Sequence, residues 1–306
     1  MILIIGAPDE AHSAFIYEKL CRLDEPVAYF DTRRFPAETR IAFEPEDSTR
    51  GFLKPNTPAA PIALSDIRAV YWRYFMGIAA GHQNDPFLHE MATRETESLI
   101  GSLFRAMDER CLWVNTPGAI EMHRYKGYQL AKLSRAGLRI PHTLMTNDPD
   151  AVRDFYERMH KQVIYKPVRG GAHTAKLADE DLKPERLAEL AKAPVQFQEM
   201  IPGVDTRAYL IGDDIFAAEI RARSLDFRED PDAAIVPVEL PDAVLADCRT
   251  LVRELDLKFS GIDIRKTPDG EYVFIEGNPS PMFMHFEHQS KYPISDRLVD
   301  LLRQIY

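Results

Sequence analysis

The stretch Phe259-Ser-Gly-Ile-Asp263-Ile-Arg-Lys-Thr-Pro-Asp-Gly270-Glu-Tyr-Val-Phe-Ile-Glu276-Gly-Asn278-Pro-Ser-Pro281 limits what this chain can fold into more than any other. Two runs rich in Ile, Val, Phe and Tyr flank Pro268-Asp269-Gly270, which predicts a β-hairpin closed by a Gly-containing turn. Glu276 and Asn278 are two residues apart on the second strand and share one face. Folding the hairpin back from its turn brings Asp263 to about one position from Glu276, and cross-strand neighbours lie roughly 4.5–5.5 Å apart. Two carboxylates that close repel unless something positive sits between them. Oxygen donors without His or Cys suit Mg²⁺, which takes a few carboxylates and leaves its other positions to water and phosphates. The alternative is a solvated acidic hairpin. The apolar run Tyr272-Val-Phe-Ile, which ends in Glu276, opposes it by carrying the carboxylate into a cleft.

A chain of 306 residues, 45% of them apolar, suits one large or two to three small domains with a proper core. No run approaches the ~18 apolar residues that span a membrane. Met1-Ile-Leu-Ile-Ile-Gly6 lacks the charged leader of a signal peptide and reads as a buried first strand. Cys21, Cys111 and Cys248 are odd in number and widely spaced, which excludes a disulfide framework or a Cys-type zinc site and fits a reducing cytoplasm. The net charge of −10 disfavours nonspecific nucleic-acid binding. An acidic protein still holds a nucleotide if its Lys and Arg are concentrated in one cleft.

The first strand, a periodic stretch from Ala11 to Leu23 and Pro26-Val-Ala-Tyr-Phe30-Asp31 make a β-α-β start. Gly6-Ala7-Pro8-Asp9 is not a Gly-x-Gly-x-x-Gly loop, which argues against a dinucleotide site. Ile67 to Phe75 reads as a strand with Arg73 near its end, either a surface charge or a substrate contact. A helix is expected from Asp85 to Met107 and a strand over Cys111 to Asn115, with Thr116-Pro117-Gly118 as a turn between domains. One helix then runs from Ala119 to Ala136, carries Lys126 and ends at Gly137. Strands follow over 140–146 and 162–167 with a helix between them capped by Asn147-Asp148-Pro149. Val195 to Ile201 is a strand, Thr206–Leu210 and Asp214–Ala222 form a hairpin, and helices cover Ala243–Leu255 and Ser295–Gln304.

Phosphate oxygens need cations and backbone N–H groups, while a metal bridges phosphates to carboxylates. Lys166 ends an apolar strand and precedes Pro167, which leaves its charge half buried without a partner. Lys126 lies on a predicted helix, where exposed lysines are routine. Taken in order, Lys126-Gly-Tyr-Gln129-Leu, Ile140-Pro-His-Thr143, Val163-Ile-Tyr-Lys166-Pro, Gln198-Glu199-Met-Ile, Gly203-Val-Asp205-Thr-Arg207, Asp263 and Glu276-Gly-Asn278-Pro resemble an ATP-grasp ligase along the whole chain. Within that superfamily the chain is similar to the RimK-like branch. Trp113-Val-Asn-Thr-Pro and Thr146-Asn-Asp-Pro-Asp-Ala-Val-Arg-Asp-Phe155 are similar to the peptide maturases that close ester or lactam rings in microviridin-type (graspetide) peptides.

The resemblance implies an α/β (α+β) ATP-grasp fold. Two α+β subdomains, 117–197 and 198–306, would grip ATP, preceded by a small Rossmann-like domain over 1–116. Lys126 and Lys166 would hold ATP phosphates, with Lys166 also near adenine. Gln198, Glu199, Met200 and Ile201 would face the adenine edge, and Arg221 would meet the γ-phosphate. Asp263, Glu276 and Asn278 would bind one or two Mg²⁺. Asp205, grouped with the cofactor-binding residues, and Arg207 match an Asp-x-Arg element near the substrate carboxylate, where Arg207 would stabilise an oxyanion. Arg169-Gly-Gly-Ala-His173-Thr is a candidate lid, shorter than the Gly-Ser-rich loop of many glutamate ligases; its glycines supply backbone freedom. Met282, Phe283, Met284 and Phe286 follow the metal motif and read as either core or acceptor-pocket lining.

The implied activity is ATP-dependent carboxylate–amine or carboxylate–hydroxyl ligation through an acyl phosphate. The implied partner is a peptide or amino acid, without nucleic acid or membrane, and a homodimer is allowed. The alternatives are a free-standing ligase resembling glutathione synthetase and a nucleotide-binding regulatory protein with a spent site.

Overall fold

The computed structural model describes residues 1–55, 60–75, 77–78, 81, 84–169, 174–222 and 233–303. The chain opens with β1 (Ile2–Ile5), α1 (Ala11–Arg22) and β2 (Val27–Phe30). An antiparallel trio follows, β3 (Thr39–Glu44), β4 (Asp47–Pro55) and β5 (Ile62–Ala63), and then β6 (Ala69–Trp72), α2 (Pro86–Asp108) and β7 (Leu112–Val114). The middle holds α3 (Pro117–Met122), α4 (Lys126–Arg135), β8 (Thr143–Thr146), α5 (Pro149–Arg158), β9 (Val163–Pro167), β10 (Ala175–Lys176), α6 (Pro184–Leu187) and β11 (Val195–Glu199). The last part is β12 (Val204–Ile211), β13 (Asp214–Arg221), β14 (Ala234–Val238), α7 (Asp242–Glu254), β15 (Phe259–Lys266), β16 (Tyr272–Asn278), α8 (Met284–Ser290) and α9 (Ile294–Arg303). No helix among the described residues is long and apolar enough to cross a membrane.

The first sheet is parallel, in the order β2-β1-β6-β7. Parallel strands are covered on both faces, so they read as unbroken apolar runs. This is why Ile2-Leu-Ile-Ile5 shows no alternation. Leu3 and Ile5 pack with Phe30, Phe104 and Trp113 on one side. On the other, Ile2 and Ile4 share a core with Tyr209, Phe259, Phe283 and Leu298 from the end of the chain. A four-stranded sheet, β10-β9-β11-β8, and a five-stranded one, β14-β13-β12-β15-β16, carry the rest.

Helix starts follow from local chemistry. Asp85 accepts from Phe87 N and Leu88 N at 3.0 and 3.1 Å with Pro86 behind it, and Asp148 accepts from Asp150 N ahead of Pro149. The helix expected over 119–136 is two helices, broken at 123–125. Thr116-Pro117-Gly118 is no free turn but the start of α3, with Thr116 Oγ1 accepting from Ala119 N at 3.1 Å. Pro at the first position and Thr as cap are the signals of a helix N-terminus. The sequence reading also passed over β3–β5, β10, β14 and α8, which are short or have no strict period.

Glu10 caps α1, accepting from Ser13 N at 2.7 Å, and meets Arg73 at 3.1 Å. Beside it, buried His12 packs edge-on against Phe283, ring centroids 4.7 Å apart. Burial, then the Arg73 charge, pushes the His12 imidazole down to about 4 from 6.5. The unfolded chain therefore binds a proton in that range that the folded protein refuses. Stability should be complete above about pH 6.5 and fall as the pH drops towards 4. Thermal melts of wild type and His12→Gln across that range test this; a wild-type slope no steeper than the variant's would rule it out.

Candidate active site

The hairpin pairs Arg265 with Val273 and Ile264 with Phe274, and then Asp263 with Glu276 and Gly261 with Asn278. Ile275 is the extra residue of a β-bulge. Without it the register would set Asp263 against Ile275; with it, carboxylate faces carboxylate. On its other side Asp263 faces Arg207 of β12. Arg207 grips Asp263 with both prongs, Nε to Oδ1 at 2.7 Å and Nη2 to Oδ2 at 3.0 Å. Burial disfavours the Arg207 charge, but the Asp263 carboxylate outweighs that and holds the guanidinium protonated more firmly than usual. Glu276 pairs with Lys126 Nζ, and His123 Nε2 lies 3.6 Å from the same oxygen. Burial pushes the Glu276 carboxyl up, yet the Lys126 and His123 charges bring it below the ordinary range. Burial and then Lys126 push the His123 imidazole down.

Lys126 reaches Glu276 because α4 begins anew there. Strand β16 is a sheet edge, and its outward backbone groups need partners. Gln129 supplies both at Gly277: its Nε2 donates to Gly277 O at 3.0 Å and its Oε1 accepts from Gly277 N at 3.1 Å. The carbonyl of Arg139 accepts from Phe274 N at 2.8 Å further along. Glycine at 277 lets α7 pack close, since a Cβ there would sit 2.7 Å from Leu251 Cδ2 and 2.9 Å from Leu255 Cδ1 and both leucines would have to shift. Lys126, one turn before Gln129, is thereby carried to the residue before Gly277.

The opposite wall is the four-stranded sheet. Lys166 Nζ donates to Gln198 Oε1 at 3.1 Å, and Gln198 Nε2 donates to Thr143 Oγ1 at 2.9 Å. The expected partnerless lysine thus has a partner. Between the walls lies a cleft of about 450 Å³. Of the residues singled out in the sequence, Lys126, Lys166, Gln198, Glu199, Met200, Ile201, Asp205, Arg207, Asp263, Glu276 and Asn278 all line it. Arg221 is not among its lining residues; it is exposed at the end of β13 and pairs with Glu219 at 3.1 Å. Glu199 Oε2 accepts from His142 N at 3.2 Å. Asp205 meets Arg265 Nη1 at 2.6 Å.

The loop residues 170–173, His173 among them, lie outside the described residues. Phe283 and Phe286 are buried core, Met284 packs against that core, and Met282 is exposed. None of the four lines the cleft. Arg169, the first residue of the candidate lid, lines it too, and His123, Gln196 and Arg265 line it and were missed. For Arg265 a signal existed: Asp263-Ile-Arg265 repeats Asp205-Thr-Arg207, and antiparallel pairing sets each Asp against the other Arg. Gln196 Oε1 and Thr206 Oγ1, both buried, have no hydrogen-bond partner among the described residues.

Among the described residues no group of three His, Cys, Asp or Glu side chains forms a metal site. Asp263, Glu276 and Asn278 are two carboxylates and an amide, with Asn278 Oδ1 already accepting from Ser280 N at 2.9 Å. That sparse, hard set fits Mg²⁺, which does not need an all-protein cage.

No protein-family model matches the chain. Solved structures do. The ATP-grasp ligase PsnB, complexed with its minimal precursor, is 34% identical with a TM-score of 0.85, over 99% of this chain and 97% of that one. The macrocyclase MdnC of Microcystis aeruginosa, bound to its precursor peptide, has the same fold at 23% identity, a TM-score of 0.85 and 98% of each chain covered. The α-aminoadipate–LysW ligase LysX of Sulfolobus acidocaldarius is 25% identical over 192 residues, 58% of this chain and 69% of that protein. The fold is that of two α+β sheets closing on a nucleotide-sized cleft. The chain belongs to the ATP-grasp ligases, in the branch of microviridin/graspetide-type maturases that includes PsnB.

The Gln129 amide predicts a stability effect. Gln129→Ala orphans the N–H and C=O of Gly277, at roughly 1–3 kcal/mol each, so the variant should lose about 2–6 kcal/mol. Urea unfolding measures this, and a loss under about 1 kcal/mol would show that the amide is dispensable.

Proposed function

We propose that this protein is an ATP- and Mg²⁺-dependent ligase that activates a carboxylate of a peptide as an acyl phosphate and joins it to an amine or hydroxyl. One observation carries the reading: the row Arg207–Asp263–Glu276–Lys126 faces Lys166 and Gln198 across a single cleft. PsnB and MdnC, structured along the same full length, are seen with precursor peptides. Residues 1–116 would form the leading α/β domain, 117–197 and 198–306 the two halves of the grip. With a net charge of −10 and three free cysteines, the enzyme would work in the cytoplasm on a peptide or amino acid, as monomer or homodimer, without nucleic acid or membrane.

A carboxylate is a poor acyl donor. Its oxygen attacks the γ-phosphorus, the bond to the β-phosphate oxygen breaks, and ADP leaves. An amine or hydroxyl then attacks the carbonyl carbon, phosphate departs and the nucleophile's proton is lost. Lys126 and Lys166 hold phosphates, while the Gln198–Ile201 stretch faces the adenine edge. Asp263, Glu276 and Asn278 would hold magnesium, which neutralises charge on the transferring phosphoryl group. Arg207, kept protonated and oriented by Asp263, stabilises the tetrahedral oxyanion. Arg221 would meet the γ-phosphate by leaving Glu219. Acyl phosphates hydrolyse, so water must be excluded until the nucleophile arrives.

Asp263→Asn and Glu276→Gln should keep the fold and lower turnover by at least about 100-fold, the scale of one lost preorganised charge in a site. Phosphate-release rates near wild type in either would count against the metal assignment. Lys166→Ala should weaken ATP binding more than Lys126→Ala, since Lys166 sits on the apolar strand β9 beside Gln198. Small, equal effects by calorimetry would move the nucleotide elsewhere. Mass spectrometry of acidic peptides incubated with protein, ATP and Mg²⁺ decides the product. A loss of about 18 Da marks ring closure within one molecule, and a gain of a residue mass marks joining of two. The second outcome would favour a small-molecule acceptor, in line with the LysX likeness. No change of either kind would sink the ligase reading.

A further inference from the structure

Arg73 follows β6 of the first sheet, 6% exposed and outside the cleft lining. Its charge is met by Glu10, with Nη2 3.1 Å from Oε1. Its other prong, Nη1, leaves the first sheet altogether and donates to Ser280 O at 2.8 Å and Ser280 Oγ at 3.0 Å. Ser280 Oγ returns a hydrogen bond to the carbonyl of Arg73. Ser280 N in turn donates to Asn278 Oδ1 at 2.9 Å. A neighbouring buried group supports the same segment: Asn115, after β7, donates through Nδ2 to Phe259 O and Pro279 O at 2.6 Å each.

A guanidinium presents fixed, planar donors, so it sets the place of the backbone it binds as well as holding it. An amide oxygen has two lone pairs. Ser280 N takes one at Asn278, which fixes the side chain and leaves the other to point away from Ser280. We propose that Arg73 is a positioning residue for the metal centre. Through Ser280 it orients the Asn278 amide oxygen towards the space it shares with Glu276 and Asp263, so the first sheet is the template on which the metal-binding strand end is set. This rests on the metal assignment above. Arg73 touches neither nucleotide nor peptide in this role. It acts on the affinity of the cation and leaves the nucleotide's own contacts alone.

The test uses the full chain with ADP and Mn²⁺, reading free Mn²⁺ by electron paramagnetic resonance and ADP affinity without metal by calorimetry. Ser280→Ala keeps the Glu10–Arg73 pair and removes only the hydroxyl. Arg73→Met combined with Glu10→Gln removes the relay without leaving a buried carboxylate unpaired. In both, Mn²⁺ affinity of the ADP complex should fall by about three- to tenfold, the scale of a lost hydrogen bond. Metal-free ADP affinity should stay within twofold. In an Asn278→Ala background the same changes should have no further effect, because coupled residues are not additive. Unchanged Mn²⁺ affinity in the folded variants, a parallel loss of ADP affinity, or a full effect without Asn278 would each overturn the role. Failure of wild-type protein with ADP to bind Mn²⁺ would instead overturn the metal assignment, and this role with it.

Discussion

Two carboxylates placed side by side on neighbouring strands cost free energy unless positive charge lies close to both. Here each acid has its own counter-charge. Arg207 takes Asp263 in a two-pronged grip from the next strand, and Lys126 takes Glu276 from the end of a helix. The pairing is only possible because Ile275 is bulged out, which shifts the register by one and turns Glu276 towards Asp263. A bulge, a helix break and a sheet edge thus serve one end: an acidic pair that is stable and stays open to a cation and phosphates.

The surrounding structure holds this pair through buried polar groups whose hydrogen bonds cross between elements. Gln129 completes the edge of β16 at Gly277, between the two residues whose side chains matter. Arg73 and Asn115 come from the ends of parallel strands far away in sequence and bind the turn after Asn278. Buried polar groups are costly when unpaired, so each such contact fixes one arrangement and penalises the rest. The apolar core made by Ile2, Ile4, Tyr209, Phe259 and Phe283 supplies the cohesion but no such discrimination.

The opposite wall works differently. Lys166 donates to Gln198, and Gln198 to Thr143, a line of hydrogen bonds running along that wall. The cleft sets the Lys166 ammonium on one wall against two carboxylates on the other, a polarity suited to a phosphate chain bridged by a metal.

Much of this was legible in the residues themselves. The Pro268-Asp269-Gly270 turn, the apolar run into Glu276 and the spacing of Glu276 and Asn278 are local, and local chemistry decides them. The unalternating Ile2-Leu-Ile-Ile5 likewise announces a strand covered on both faces. What could not be read was which groups meet across long separations. Arg73 looked like a surface charge or a substrate contact and is buried against Ser280, 207 residues away. Met282, Phe283, Met284 and Phe286 had core and pocket as equal readings; packing against Tyr209 and Phe259 decided for core at Phe283, Met284 and Phe286, while Met282 is exposed. The break before Lys126 is invisible in a helical pattern, since it is imposed by the edge strand that α4 must cover. The sequence by itself determined the strands, turns and residue types of the site, because these depend on neighbours along the chain. Only the tertiary structure decided which cation faces which carboxylate, because that depends on register and burial, to which distant parts of the chain contribute.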